Sequence, residues 1–133
     1  MLLIRKLLNS KRGQAMVEMA LALPLIIMLI MGTIEFGRLF HSYLLVSNAS
    51  REGARIAVTG VDNSVITSRI NDVTASLDSS KVIIISPNDA DLRVSAVPVT
   101  VTINYNHSIV TPVFESILPN PITLTSSTSM RME

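Results

Sequence analysis

The chain has 133 residues, a net charge of +1 at pH 7 and no cysteine. This length allows one small domain beside a membrane segment. A net charge so close to zero argues against a broad basic surface for nucleic acid, and the absence of cysteine excludes disulfides and thiolate metal sites.

An apolar segment at residues 15–34 is the first element along the chain, and Glu18 is its one charged residue. As a helix, the segment would extend about 30 Å, the thickness of the hydrocarbon core of a membrane. A buried core helix is the alternative interpretation, but so small a chain cannot enclose a segment that is apolar on every face. We therefore expect a membrane-spanning helix.

Basic residues precede this segment, with no acidic residue among them: Arg5, Lys6, Lys11 and Arg12. An excess of Lys and Arg is typical of the cytoplasmic flank of a membrane helix. The pattern predicts a single-pass protein with its N-terminus in the cytoplasm and everything after about residue 35 outside it.

Gly13 directly follows these basic residues, and Glu18 lies five positions further on. A basic leader, a glycine, this glutamate and an immediate apolar run together resemble a type IV prepilin-like signal, which a prepilin peptidase would cut between Gly13 and Gln14. An ordinary secretory signal fits poorly, because most of the apolar residues follow the small-residue triplet at 20–22 instead of preceding it. The sequence predicts three parts: a basic leader at 1–13, a transmembrane helix at 14–34 and an extracytoplasmic domain at 35–133.

Glu18 would cost about 2.5–3.5 kcal/mol in the membrane interior unless it is paired. Cleavage would create a cation, because the new α-amine of Gln14 is mostly protonated at neutral pH. That amine lies four positions before Glu18, so it could pair within its own helix or with Glu18 of a neighbouring subunit. A location at the headgroup level is the other explanation for Glu18.

In the exported part, helical periodicity continues to about Gly60, first with apolar residues and then with a stripe of small ones. Sheet packing is the first use we expect for the small residues, and a subunit interface is the second. The apolar positions of this stretch are Phe36, Leu39, Phe40, Tyr43 and Val46, followed by Ala49, Ser50, Gly53, Ala54 and Ala57. A second helix should begin at residues 62–64 and end near Ser79, with Ile66, Ile70, Val73 and Leu77 on one face.

Three strands should follow, at residues 81–86, 97–105 and 122–132, with a turn at 87–89. Pro98 indicates that the middle strand begins at an edge or outside the ladder. The link at 110–118 reads either as a short helix near the membrane or as a loop. The predicted fold class is therefore α+β, with a long N-terminal helix, a second helix and an antiparallel sheet of about three strands.

Several parts of the chain resemble the TadE-like family of minor pseudopilins: residues 12–21, 23–25, 35–37 and 50–55, and the ending at 125–133. This resemblance implies a helper subunit in the assembly of Tad/Flp pili, which serve adhesion, biofilm formation or secretion. It also implies the bacterial inner membrane as location, and prepilin peptidase, the Tad platform proteins and other pilins or pseudopilins as partners. Incorporation into the fibre and retention at its base both stay open. The candidate packing or interface residues are Arg51, Glu52, Gly53, Ala54 and Arg55.

Catalytic residues are scarce, since the chain has two histidines, no cysteine and acidic residues scattered in turns. We expect His41 to lie at the membrane interface and His107 to lie in a loop, and we expect no enzyme, metal, cofactor or small-molecule substrate. An uncleaved envelope protein that binds platform or cell-wall partners through its sheet is the main alternative. A membrane-bound hydrolase is a third hypothesis, which requires a pocket with perturbed ionisable groups.

Overall fold

A computed structural model of the chain describes residues 11–78 and 80–132. The fold is α+β, as predicted, with a long helix, a second helix and a three-stranded antiparallel sheet. The described residues up to Phe36 and those from Gly37 onward belong to two compact units, which we treat separately. The elements are α1 Lys11–Ala57, α2 Asn63–Val73, β1 Lys81–Ser86, β2 Pro98–His107, α3 Pro112–Glu115 and β3 Ile122–Arg131, with a 3₁₀ turn at Ala90–Leu92.

The first unit consists of the N-terminal part of α1, in which the aliphatic side chains are exposed on all sides. Leu, Met and Ala favour the helix, and Pro24 lies inside it. By length and composition, this helix could span a membrane. Because apolar side chains in water are unfavourable, a stretch that is so uniformly aliphatic and so little buried fits a helix surrounded by lipid.

The core of the second unit lies between α1, α2 and one face of the sheet. Gly53 allows the closest approach, since a Cβ there would lie 2.8 Å from Ile70 Cδ1 and 3.2 Å from Val101 Cγ1. At Gly53, the backbone of α1 therefore packs directly against side chains of α2 and the sheet. The fully buried apolar residues of this core are Val46, Ala49, Ala54, Ala57, Ile66, Ile70, Val99, Val101 and Ile103.

The strands follow the chain order β1-β2-β3, with β2 in the centre. The alternation predicted for β2 is present, because its odd-numbered residues face the helices and its even-numbered residues face away. Pro98 is the first residue of β2 and pairs with Arg131, whereas pairing with β1 starts only at Thr100. On the β1 side Pro98 thus precedes the ladder, where its missing N–H costs no hydrogen bond.

The prediction that the aromatic residues of α1 belong to its packed stripe is wrong. Phe40 and Tyr43 are 61% and 47% exposed, whereas Ser42 between them is buried. From Gly37 onward, the buried face of α1 therefore begins at Ser42 and Val46 and continues through the small residues, as predicted for those.

Helix α2 ends at Val73, six residues before the predicted end near Ser79. The hydroxyl of Thr74 donates to the carbonyl oxygen of Ile70 at 2.7 Å, and turns follow. Leu77 still packs against the core from this turn, which explains why the apolar periodicity outlasts the helix. The link at 110–118 contains the short helix α3, which was one of the two alternatives.

Hydrogen bonds from Arg93 link the connection between β1 and β2 to the connection between α1 and α2. It is 4% exposed, and its guanidinium donates to the carbonyl oxygens of Pro87 at 3.2 Å and Val61 at 2.9 Å, and to the side-chain oxygen of Asn63. The Asn63 amide in turn donates to Asn88. Two loops far apart in sequence are thereby held together by hydrogen bonds from a buried cation.

Candidate functional site

The predicted processing site lies near the start of α1. Gly13 and Gln14 are both helical, and the side-chain amide of Gln14 donates to Glu18 Oε1 at 3.3 Å. Gln14 and Glu18 thus share one face of the helix, one turn apart. Residues 1–10 of the leader, including Arg5 and Lys6, lie outside the described residues. The roles of Gly13, Gln14 and Glu18 stay predictions.

The segment at residues 51–55 divides into an inward and an outward part. Gly53 and Ala54 face the core, whereas Arg51 and Arg55 are exposed. Glu52 lies between these groups and accepts hydrogen bonds from Arg55 at 2.8 Å and from Arg69 of α2 at 3.2 Å. The glycine and alanine therefore pack against the sheet side, and the charged residues form a surface cluster that links α1 to α2.

Arg55 and Arg69 hold the carboxylate of Glu52 in its charged form. The hydrogen bond from Arg55 is the largest cause and that from Arg69 the next, and together they lower the pKa of Glu52 to about 2. The same contact raises the pKa of Arg55. The cluster is consequently charged throughout the physiological pH range.

Ser50 joins the same helix to the last strand. Its hydroxyl is fully buried and lies 2.8 Å from Ser126 Oγ and 2.9 Å from Thr128 Oγ1, and it donates to the carbonyl oxygen of Ser47 at 2.9 Å. Ser50 and the two β3 residues belong to separate segments that both suggested the family resemblance. The fold brings these two segments into direct contact.

A pocket of about 290 Å³ lies at the other end of β2 and was missed by the sequence analysis. Contrary to our expectation, His107 is not a loop residue: it is the last residue of β2 and is 3% exposed. Its Nδ1 lies 3.2 Å from Ser42 Oγ of α1. The pocket is lined by Arg38, His41, Ser42, Ser76, Leu77, Asp78, Tyr105 and His107.

Two ionisable groups of this pocket have shifted pKa values. Hydrogen bonds from Ser80 are the main cause that lowers the pKa of Asp78, and Tyr105 contributes further. Burial is the main cause that raises the pKa of Tyr105, and the negative charge of Asp78 adds to it. No signal in the sequence foretold this arrangement, because Ser42, Asp78 and His107 are far apart along the chain.

Comparison with protein families matches the family described as TadE-like protein over residues 13–55. The stretch 13–55 is TadE-like. The matched stretch begins at Gly13, contains the apolar helix and Glu18, and ends at Arg55. The predicted resemblance is confirmed over this stretch, while that of the ending at 125–133 stays a prediction.

Comparison of the chain with curated proteins gives no match, and comparison with solved structures gives none either. The TadE-like match indicates a role in processes related to Tad pili, in association with the pilus machinery and a membrane. The exposed apolar helix within the matched stretch fits a single-pass membrane protein.

The chemistry available at the pocket is limited by the burial of its serine and histidine. Ser42 and His107 form a hydrogen-bonded pair, yet both are at least 96% buried. The imidazole presents Nδ1 to the hydroxyl, whereas in the serine hydrolase triad Nε2 accepts the serine proton. Within residues 11–78 and 80–132, no three His, Cys, Asp or Glu side chains are grouped so that they could hold a metal ion.

Proposed function

We propose that the chain is a minor pseudopilin that takes part in assembling a Tad/Flp-type pilus for adhesion, biofilm formation or secretion. A prepilin peptidase cleaves it between Gly13 and Gln14, and the helix at 14–34 then keeps it in the membrane. The observation that carries the proposal is the TadE-like match from Gly13 onward, which includes Glu18 at the start of an exposed apolar helix.

The proposed location is the bacterial inner membrane, with the N-terminus in the cytoplasm and the domain from residue 35 outside. The four basic residues before the apolar segment support this orientation. An α+β domain with a single apolar helix in front of it suits a subunit that is stored in the membrane and then presented to other subunits. Its partners would be prepilin peptidase, the platform proteins and other pilins or pseudopilins.

Gln14 and Glu18 support the maturation step. The Gln14 side chain already reaches Glu18, so the two residues lie on one face of α1. After cleavage the residue at this position carries a positive α-amine, which can neutralise the carboxylate or pair with Glu18 of a neighbouring subunit. Maturation would thereby turn an anchored precursor into a subunit that can dock.

The test is the intact mass of the native protein purified from cells with an active prepilin peptidase. We expect the mature chain to begin at Gln14, and Gly13→Leu to retain the leader. Gly37→Leu is the matched control, because Gly37 lies in the same helix with open space around it and should be processed normally. A wild-type chain that still begins at Met1 would contradict the proposal.

That outcome would favour the alternative, an uncleaved envelope protein that binds partners through its sheet. On β2 and β3, the face of the sheet that points away from the helices carries polar side chains that pair across the two strands, whereas β1 adds the exposed Val82 and Ile84 to this face. Thr102 Oγ1 lies 2.8 Å from Ser127 Oγ, and Thr125 Oγ1 donates to Asn104 Oδ1 at 2.9 Å. A face of this kind can meet a polar partner.

A hydrolase is the second candidate, since such an enzyme requires a pocket with perturbed ionisable groups. The pocket that contains Asp78 and Tyr105 has two groups with shifted pKa values. We favour a non-enzymatic role because Ser42 is buried and faces Nδ1 of His107. Incubation of the purified chain with ester and peptide substrates tests this point. Turnover that disappears in Ser42→Ala would establish an enzyme, and we expect no turnover above buffer.

A further inference from the structure

We propose that the β2–β3 loop, residues 108–121, enters the interface of the membrane and forms a second membrane contact of the exported domain. This inference rests on the proposed anchoring by the apolar helix. The loop would lie at the boundary between lipid headgroups and hydrocarbon.

The loop exposes large aliphatic side chains. Ile117 and Val110 are 71% and 64% exposed, and Leu118 and Val113 are 42% and 40% exposed. Glu115 is its one charged residue. Since each aliphatic side chain favours removal from water, a loop that presents four of them together is suited to an apolar environment.

The loop satisfies polar groups of its own backbone internally. Asn120 closes it, because its Oδ1 accepts from the Ile109 N–H at 3.1 Å and its Nδ2 donates to the Ile109 carbonyl oxygen at 3.4 Å. Ser116 donates to the Val113 carbonyl oxygen at 2.8 Å, and Asn120 also donates to Glu115 at 3.3 Å. Polar groups that are hydrogen-bonded within the loop lower the free-energy cost of moving the loop out of water. A loop that stays in solution needs no such pairing, because water satisfies its polar groups.

The loop leaves the sheet at the end that lies beside the beginning of the exported domain. It starts directly after His107, which contacts Ser42 of α1, whereas the early β2 residue Val101 lies close to Gly53, further along α1. β2 therefore runs back along α1 toward the residues that follow the apolar segment. Ser42 comes about eight residues after that segment, so the loop begins near the point where the chain leaves the membrane.

Aromatic side chains lie on the same part of α1. Phe40 and Tyr43 are exposed, and their ring centroids lie 6.4 Å apart. Aromatic residues, Tyr among them, are common at the boundary between lipid and water. The aromatic pair of α1 and the aliphatic loop thus belong to one end of the domain, and both have the side chains that this boundary favours.

The chain has no tryptophan, so a single introduced one reports its own surroundings. The full chain carrying Ile117→Trp is reconstituted in phosphatidylethanolamine–phosphatidylglycerol vesicles. The control is Leu92→Trp, because Leu92 is 61% exposed in the connection at the opposite end of β2. Both variants carry the same intrinsic preference of Trp for interfaces, so the comparison isolates the position.

We expect blue-shifted emission for Ile117→Trp and quenching by brominated lipid, while Leu92→Trp emits as in water and is quenched by acrylamide. Equal acrylamide quenching of both variants would overturn the proposal. Protection of Ile117→Trp from both quenchers would also overturn it, because a protein surface would then cover the loop. Flotation with the vesicles tests the anchor separately, so a failed anchor and a failed loop contact give different results.

Discussion

At the scale of single residues, we expect the contacts of Arg93 to stabilise the fold outside the apolar core. Its guanidinium binds three oxygens from two loops and is almost fully buried. Arg93→Met keeps the aliphatic stem but leaves these acceptors without their donor. We expect a loss of about 2–3 kcal/mol in the free energy of unfolding, because hydrogen bonds from charged donors are strong and buried acceptors left without a donor are costly.

Thermal denaturation of the full chain in mild detergent measures this effect, as each kcal/mol shifts Tm by about 4–8 °C in a domain of this size. Arg51→Met is the control, since Arg51 is exposed and should change stability by no more than about 0.5 kcal/mol. Equal Tm values for the two variants would show that the contacts of Arg93 do not stabilise the fold.

Glu52 gives the domain a defined pH dependence. Its pKa is lowered from 4.5 to about 2 in the folded chain, so its stabilising contribution is complete above the ordinary pKa and is lost as the pH falls toward 2. The stability difference between wild type and Glu52→Gln should therefore be constant near neutral pH and shrink between about pH 5 and pH 2. Thermal denaturation at pH 7, 4 and 2.5 measures it.

Carboxyl NMR titration gives an independent check through the two arginines. Arg55→Met should raise the pKa of Glu52 more than Arg69→Met does, because the hydrogen bond from Arg55 is the larger cause. An unchanged pKa in both variants would contradict the assignment.

At the scale of elements, the packing of α1 depends on Gly53. A Cβ at this position would lie 2.8 Å and 3.0 Å from Ile70 Cδ1 and Cγ1, and neither Ile70 nor Val101 has free space, since both are fully buried. Gly53→Ala gains about 1 kcal/mol in helix propensity but incurs overpacking of about 1–3 kcal/mol. We expect a net loss of about 1 kcal/mol, measured as a lower Tm.

Gly37→Ala is the matched control, because no atom lies within 4 Å of a Cβ at Gly37 in the same helix. It should stabilise the chain by up to about 1 kcal/mol. In an Ile70→Val background, which removes the Cδ1 atom, the cost of Gly53→Ala should shrink. An equal gain at Gly53 and Gly37 would mean that the helix does not pack closely at Gly53.

Apolar periodicity predicted the elements of the second unit well and its polar contacts poorly. The bounds of β1 were predicted correctly, as were the inward residues of β2, because strict alternation leaves only one face for the aliphatic side chains. The end of α2 was placed too late because Leu77 reaches the core from a turn. Arg93, Ser42 and His107 could not be foreseen as buried, since their partners come from distant parts of the chain.

At the scale of the whole molecule, the chain combines an apolar helix with a domain in which the described core residues run from Val46 onward. The TadE-like match covers the helix and the first part of the domain, up to Arg55. The predicted processing signal rests on neighbouring residues, Gly13 to Glu18, so the sequence alone suffices to propose it.

We predict that Glu18→Gln is cleaved normally but is depleted from the assembled fraction by about tenfold or more, which corresponds to the loss of about 1.4 kcal/mol in pairing. The amide keeps the size of the side chain and removes the charge that attracts the α-amine of Gln14. Intact mass reports cleavage, and cross-linking to other pilin subunits in native membranes reports assembly. Asp72→Asn is the control, because it removes an acidic charge from the exposed surface of α2. Normal cross-linking of Glu18→Gln would refute the pairing role yet leave the cleavage at Gly13 intact, whereas an uncleaved variant would place Glu18 in recognition by the peptidase.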